Sequence, residues 1–152
     1  MIFRYPKDKS VLRRHFMIEG SPLDIVSQFK YLGFVLNNNL TNVDDIAKSR
    51  NKFYIEFNSI LRKFSFADVR LKLFLFHSYC LQWYGSELWF DNCKSLGSLR
   101  SFAVGYHKAI KKLLNLSYHE SNHFACQEAK LLTFENYLNK IRIFSTLRLL
   151  IV

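Results

Sequence analysis

The sequence predicts an α+β protein, with strands over residues 1–40 and a bundle of about five helices over residues 41–152. Three observations predict it. Apolar residues recur with period two up to about residue 40 and with the helical period of 3.6 from Thr41 onward. Gly and Pro are scarce, at 5 and 2, while 49% of residues are apolar, which favours packed helices around one core over a loop-rich or disordered chain. Strands also precede the helices instead of alternating with them, which separates α+β from α/β layouts.

Taken in order, residues 1–5 are short and apolar, and Pro6 with the polar run after it breaks them. Residues 15–19 alternate, with Phe16 and Ile18 on one face. Gly20-Ser21-Pro22 reads as a turn, because Gly tolerates positive φ and Pro pre-sets a turn angle. Residues 23–26 continue that hairpin, and residues 29–36 form a further strand that Asn37-Asn38-Asn39 ends. The first helix opens at Asp44 and Asp45, where carboxylates complement the positive end of the dipole. Ile46, Phe53, Phe57, Ile60, Leu61 and Phe64 fall on one stripe. Ser65 and Asp68 resemble a capping box for a second helix, apolar nearly all round and so expected in the middle of the bundle. Tyr84-Gly85-Ser86 interrupts the pattern. A third helix spans 96–114, a connection 115–122 and a short helix 123–131. Thr133 caps a last helix over 134–150, with Tyr137, Leu138, Ile141, Phe144 and Ser145 inward. So few strands cannot complete a sheet, which leads us to expect partner strands upstream of this segment.

Lys plus Arg is 22 against 12 acidic residues, a formal charge of +10. Phosphate backbones and anionic membrane surfaces neutralise such an excess. The most apolar run, 71–83, is interrupted by Lys72, His77 and Gln82 and is shorter than the ~20 residues of a membrane span. No signal-peptide core is visible near the N-terminus. Cys80, Cys93 and Cys126 are odd in number and contain no Cys-x-x-Cys pair, which suits a reducing compartment and argues against disulfides. An intracellular location, nuclear or cytoplasmic, is expected.

Three runs carry a family resemblance. Phe29-Lys30-Tyr31-Leu32-Gly33, followed by Phe34-Val35-Leu36, resembles the strand that closes the palm of LINE-type (non-LTR retrotransposon) reverse transcriptases. Tyr84-Gly85-Ser86-Glu87-Leu88-Trp89 is similar to a Tyr-Gly-x-Glu-x-Trp element of that family. Ser121-Asn122-His123, with Ala125 and Ala129-Lys130-Leu131, is like its Ser-Asn block. The likeness, in matching order, covers residues 2–144. It implies a primer grip at Phe29, Lys30, Tyr31, Leu32 and Gly33, and a helical thumb after it that holds template–primer duplex by sequence-blind phosphate contacts. Tyr84, Gly85, Glu87 and Trp89 would be structural, as would Arg50, which matches an Arg common at that point in the family. Arg50 shares a helix side with Phe53 and Phe57, so it must pair with an acid or carbonyl, or snorkel outward.

On the third helix, Arg100, Val104, His107, Lys108 and Lys111 recur opposite the apolar face, with Lys112 beside them. Such a stripe either follows a phosphate backbone or is simply a solvated face. Polymerisation needs metal ions held by carboxylates, Mg2+ in the full-length family. The resemblance places that aromatic-x-Asp-Asp hairpin upstream, with the rest of the palm and fingers. Asp44-Asp45 follows the grip strand and has no aromatic before it, so no catalytic residue and no cofactor is assigned. His119-Glu120-Ser121-Asn122-His123 spells a zinc-protease signature, with Cys126 three residues on. Its chemistry needs both histidines on one continuous helix, and Ser121-Asn122 reads as a helix start. The reading is a fragment that binds nucleic acid without catalysing. A basic helical protein-interaction module is the alternative, and a metallohydrolase ranks last.

Overall fold

The structure is a computed structural model that describes residues 17–22, 26–31, 33–39, 41–91 and 96–150. Two small antiparallel hairpins come first. β1 (Met17–Ile18) pairs with β2 (Ser21–Pro22), and β3 (Gln28–Tyr31) pairs with β4 (Phe34–Asn37). Five helices follow: α1 (Val43–Lys63), α2 (Val69–Leu75), α3 (Leu96–Leu113), α4 (Asn122–Glu128) and α5 (Phe134–Leu150). A π-helical turn, Phe76–Cys80, extends α2, and a 3-10 helix, Ser86–Asp91, precedes α3. The layout is the α+β arrangement expected. The expected strand over 1–5 lies outside the described residues.

Turns moved two of the strand assignments. The first hairpin turns at Glu19-Gly20, both at positive φ (50° and 78°), as a two-residue hairpin loop with matching twist requires. Ser21 and Pro22 are therefore already strand. Residues 29–36 are not one strand but two, because Gly33 adopts φ +91° and reverses the chain so that Tyr31 faces Phe34.

The core lies between α1, α3 and the segment from Phe76 to Trp89, closed by α4 and α5. Its centre is aromatic. Phe53 meets Phe76 and Phe102 edge-on, and Trp83 packs between Phe102 and Phe134, with centroids 4.9 and 5.1 Å away. Such rings carry most of the burial energy, and truncating one costs about 3–5 kcal/mol. The α1 stripe predicted by spacing is buried at Ile46, Phe53, Phe57 and Ile60, but Phe64 ends up exposed.

The second helix departs from expectation. No residue of α2 is buried, and Leu71 and Phe74 face outward. Only the π-helical turn turns inward, through Phe76 and Cys80. The helix is capped by Asp68, whose side chain accepts from the Arg70 N–H at 3.2 Å. Ser65 instead offers its carbonyl to Lys72 Nζ. α5 begins where expected, with Thr133 Oγ1 accepting from the Asn136 N–H at 3.4 Å. It buries Phe134 and Leu138 and half-buries Tyr137, but Phe144 points out. Asn115 (φ 53°) and Lys130 (φ 54°) end α3 and α4, each followed by a bond from the next N–H back to the helix, Leu116 to Lys111 and Leu131 to Cys126.

Candidate nucleic-acid interface

Two of the motifs that carry the family resemblance meet in space. Gly85, at φ +82°, lies under the Phe34 ring so closely that a Cβ there would sit 1.9 Å from Phe34 Cε1. A Cβ on Gly33 would likewise touch the Tyr84 ring at 3.4 Å, and the Phe34 and Tyr84 rings are 5.3 Å apart. The close seating requires a residue without a Cβ at Gly85, whereas at Gly33 the room suffices and the positive φ of 91° is what favours glycine.

The start of α1 locks this joint. Asp45 is buried and accepts from the Val35 N–H at 3.3 Å and from Trp89 Nε1 at 3.0 Å, with Lys48 Nζ 3.9 Å away. Lys48 Nζ also donates to the Gly33 carbonyl. Asn42 Nδ2 donates to the Leu88 carbonyl at 2.6 Å. Asn37, buried at the end of β4, donates to Thr41 Oγ1 and Asp44 Oδ2, both at 2.7 Å, and accepts from the Thr41 N–H. A buried carboxylate is tolerable only with such partners, and its bonds are worth more than neutral ones.

The joint leaves β3 standing free of the core. Phe29, Lys30 and Tyr31 are all exposed, Phe29 and Tyr31 by more than half. Leu32 lies outside the described residues. Among the residues expected to be structural, Gly85 and Trp89 are buried in the joint, Tyr84 packs on Gly33 while its ring stays largely exposed, and Glu87 is half-buried in the 3-10 helix. Arg50 is half-buried, and its Nη1 donates to Ser101 Oγ at 2.9 Å, tying α1 to α3. Its partner is the hydroxyl of exposed Ser101, so of the alternatives expected it reaches outward instead of pairing with a buried acid or carbonyl.

The α3 stripe divides. Arg100, Lys108 and Lys112 are exposed and lie on one i, i+4 row with Val104. His107 and Lys111 are buried under α4, α5 and their connections. Lys111 Nζ donates to the Tyr118 carbonyl at 3.0 Å and closes the loop after α3. His107 Nε2 accepts from the Phe134 N–H at 3.5 Å, and the ring also bonds the Ala103 backbone. Burial holds the imidazole below its ordinary pKa, with Glu135 opposing and Lys111 assisting. These two side chains therefore serve the fold, and the exposed cations of the α3 stripe reduce to three, Arg100, Lys108 and Lys112.

The zinc-protease spelling does not survive folding. α4 begins at Asn122, and Ser121 caps it by accepting from the Phe124 N–H at 3.0 Å, so His119 lies off the helix that carries His123. Cys126 is buried whereas both histidines are exposed. Among the described residues no cluster of three His, Cys, Asp or Glu is placed to hold a metal ion, and no helix is long and apolar enough to cross a membrane. Cys80 and Cys126 are free thiols, and burial pushes Cys80 up to about 12, with Glu56 adding to the effect.

Sequence reasoning assigned no role in the joint to Asp45, Asn37, Asn42 or Lys48. Asp45 left one signal: it stands eight residues before Phe53, near the buried side of α1. Comparison with family models, curated proteins and solved structures finds no match to this chain.

Proposed function

We propose that this chain is a nucleic-acid-holding module without polymerising chemistry of its own, of the kind that follows the catalytic sheet in LINE-type reverse transcriptases. The observation that carries the reading is the β3–β4 hairpin. It displays Phe29, Lys30 and Tyr31 to solvent, and a joint of half-buried Gly33 and Phe34 with buried Asp45, Gly85 and Trp89 anchors it. Phe29 and Tyr31 share one face of the strand and offer a stacking surface, while Lys30 offers a counter-charge from its other face. Arg100, Lys108 and Lys112 add a row of cations on α3. A net charge of +10 supports association with a polyanion without sequence readout. Such a role puts the protein in the nucleus or cytoplasm, and its natural neighbour is the palm and fingers of a polymerase.

The test is anisotropy of a labelled RNA–DNA primer–template hybrid against salt. Four exposed cations, Lys30 with the three on α3, predict a slope of log K against log salt of about −3.6. A scrambled duplex should bind equally well. Joint replacement of Arg100, Lys108 and Lys112 by Glu should weaken binding more than about tenfold. Salt-independent binding, or no binding at tens of micromolar protein, sinks the reading.

A further inference from the structure

At the C-terminal end of α1, away from the hairpin, Ile55, Ser59 and Lys63 stand one turn apart and face Leu75 and Tyr79 across a groove of about 360 Å3. The lining is mostly apolar, with Ile60, Phe64 and Leu75 beside the Glu56 carboxylate, and its rim is open: Ile55 is 68% and Tyr79 59% exposed. One end of the groove runs into a smaller hollow of about 250 Å3 lined by Ser59, Arg62 and Lys63. Among the described residues neither of those two cations has a carboxylate partner, whereas Glu56 is already engaged by Lys52 at 3.6 Å. The groove is thus mostly apolar, carries the Lys52-paired Glu56 carboxylate beside Ile55, and is positively charged at its other end.

We propose that this groove is a docking seat for an acidic amphipathic helix of a partner protein. From Ile55 to Lys63 is about 12 Å at 1.5 Å per residue, which accommodates two turns of a guest helix anchored at i, i+3 or i+4, and i+7. Arg62 and Lys63 call for carboxylates at one end of that guest. Carboxylates suit a helix best in its first turn, where they complement the dipole. The guest therefore starts at Lys63 and runs antiparallel to α1. The proposal does not rest on the nucleic-acid reading, because hairpin and groove sit at opposite ends of α1.

The experiment uses the full chain and three synthetic 14-residue helical peptides with Leu at the anchor positions. One carries Glu in its first turn, one carries Lys there, and one has the Glu residues moved to its last turn. By anisotropy the first peptide should bind saturably and about tenfold more tightly than either other, a preference that fades with salt. Joint Arg62→Glu and Lys63→Glu replacement should erase the preference. Ile55→Glu should weaken all binding about tenfold while leaving the circular dichroism unchanged, since that side chain is exposed in the free protein. Equal binding of the Lys peptide overturns the proposal, as does absence of saturable binding at hundreds of micromolar. So does displacement of the peptide by oligothymidine with the same mutational pattern, or a self-dimer that Ile55→Glu dissociates.

Discussion

Replacing Gly85 by Ala probes the joint behind the hairpin most directly. The residue sits at φ +82°, where an L side chain costs about 1–2 kcal/mol. Its new Cβ would fall 1.9 Å from one Phe34 ring carbon and 2.5 and 2.9 Å from two others, so the ring must move. Displacing a packed ring in this way adds about 1–3 kcal/mol. The sum, about 2–5 kcal/mol, should lower the urea midpoint measured by circular dichroism and shift Tm down by about 5–15 °C for a chain of this size. The two contributions separate in a double-mutant cycle. Phe34→Ala removes the clash but not the backbone strain, so Gly85→Ala in the Phe34→Ala background should cost only about 1–2 kcal/mol, a coupling of about 1–3. Gly85→Ala within about 0.5 kcal/mol of the parent, or strict additivity with Phe34→Ala, would show that Phe34 is not seated on this turn.

Other outcomes follow from the same contacts. Because burial holds His107 below its ordinary value, the unfolded chain takes up the proton first; the His107 contribution to stability should fall as pH drops from about 6.5 and level off below the folded value, and His107→Gln should remove that part of a urea-midpoint-against-pH profile. Cys80, pushed up to about 12, should resist alkylation at pH 8 in the folded protein and react only after unfolding, read by mass spectrometry. Trp89→Phe removes the Nε1 donor from buried Asp45 and should destabilise by about 1.5–3 kcal/mol in the same urea titration, with much of that cost gone in an Asp45→Asn background.

The sequence made the helices legible because burial there is periodic. Ile46, Phe53, Phe57 and Ile60 recur at helical spacing, and that spacing alone places them inward. It misjudged residues whose burial depends on what other elements cover. On a helical wheel His107 and Lys111 look solvated, yet α4, α5 and the Tyr118 loop close over them, and each finds a backbone partner that makes burial tolerable. The same reasoning failed in the opposite sense for α2. Its apolar residues suggested a central helix, but α1 and α3 already fill the middle with rings, leaving Leu71 and Phe74 outside. The hairpin split at Gly33 was invisible for another reason. A run from Phe29 to Leu36 rich in aromatic and β-branched residues reads as one strand, and only the positive φ at Gly33 and the Tyr84 ring across it show why the chain turns.

On the proposed reading, the joint is what would fit a strand as exposed as β3 for recognition. A free two-stranded hairpin is marginal in water, and ordering it on binding would consume much of the affinity its contacts provide. Here β4 is pinned to α1 through Asp45, the turn is pinned through Lys48 and Tyr84, and Asn37 fastens the end of β4 to the start of α1. Phe29, Lys30 and Tyr31 are thereby held in place before any ligand arrives. Damage to the joint should therefore weaken nucleic-acid binding by loosening the strand, without removing a single group that touches the ligand. Gly85→Ala, assayed well below its melting temperature, should lose affinity for the primer–template hybrid yet keep the parental salt slope, because the four cations remain. A reduced slope would mean that the joint positions the charges themselves, and unchanged affinity would mean that β3 takes no part in binding.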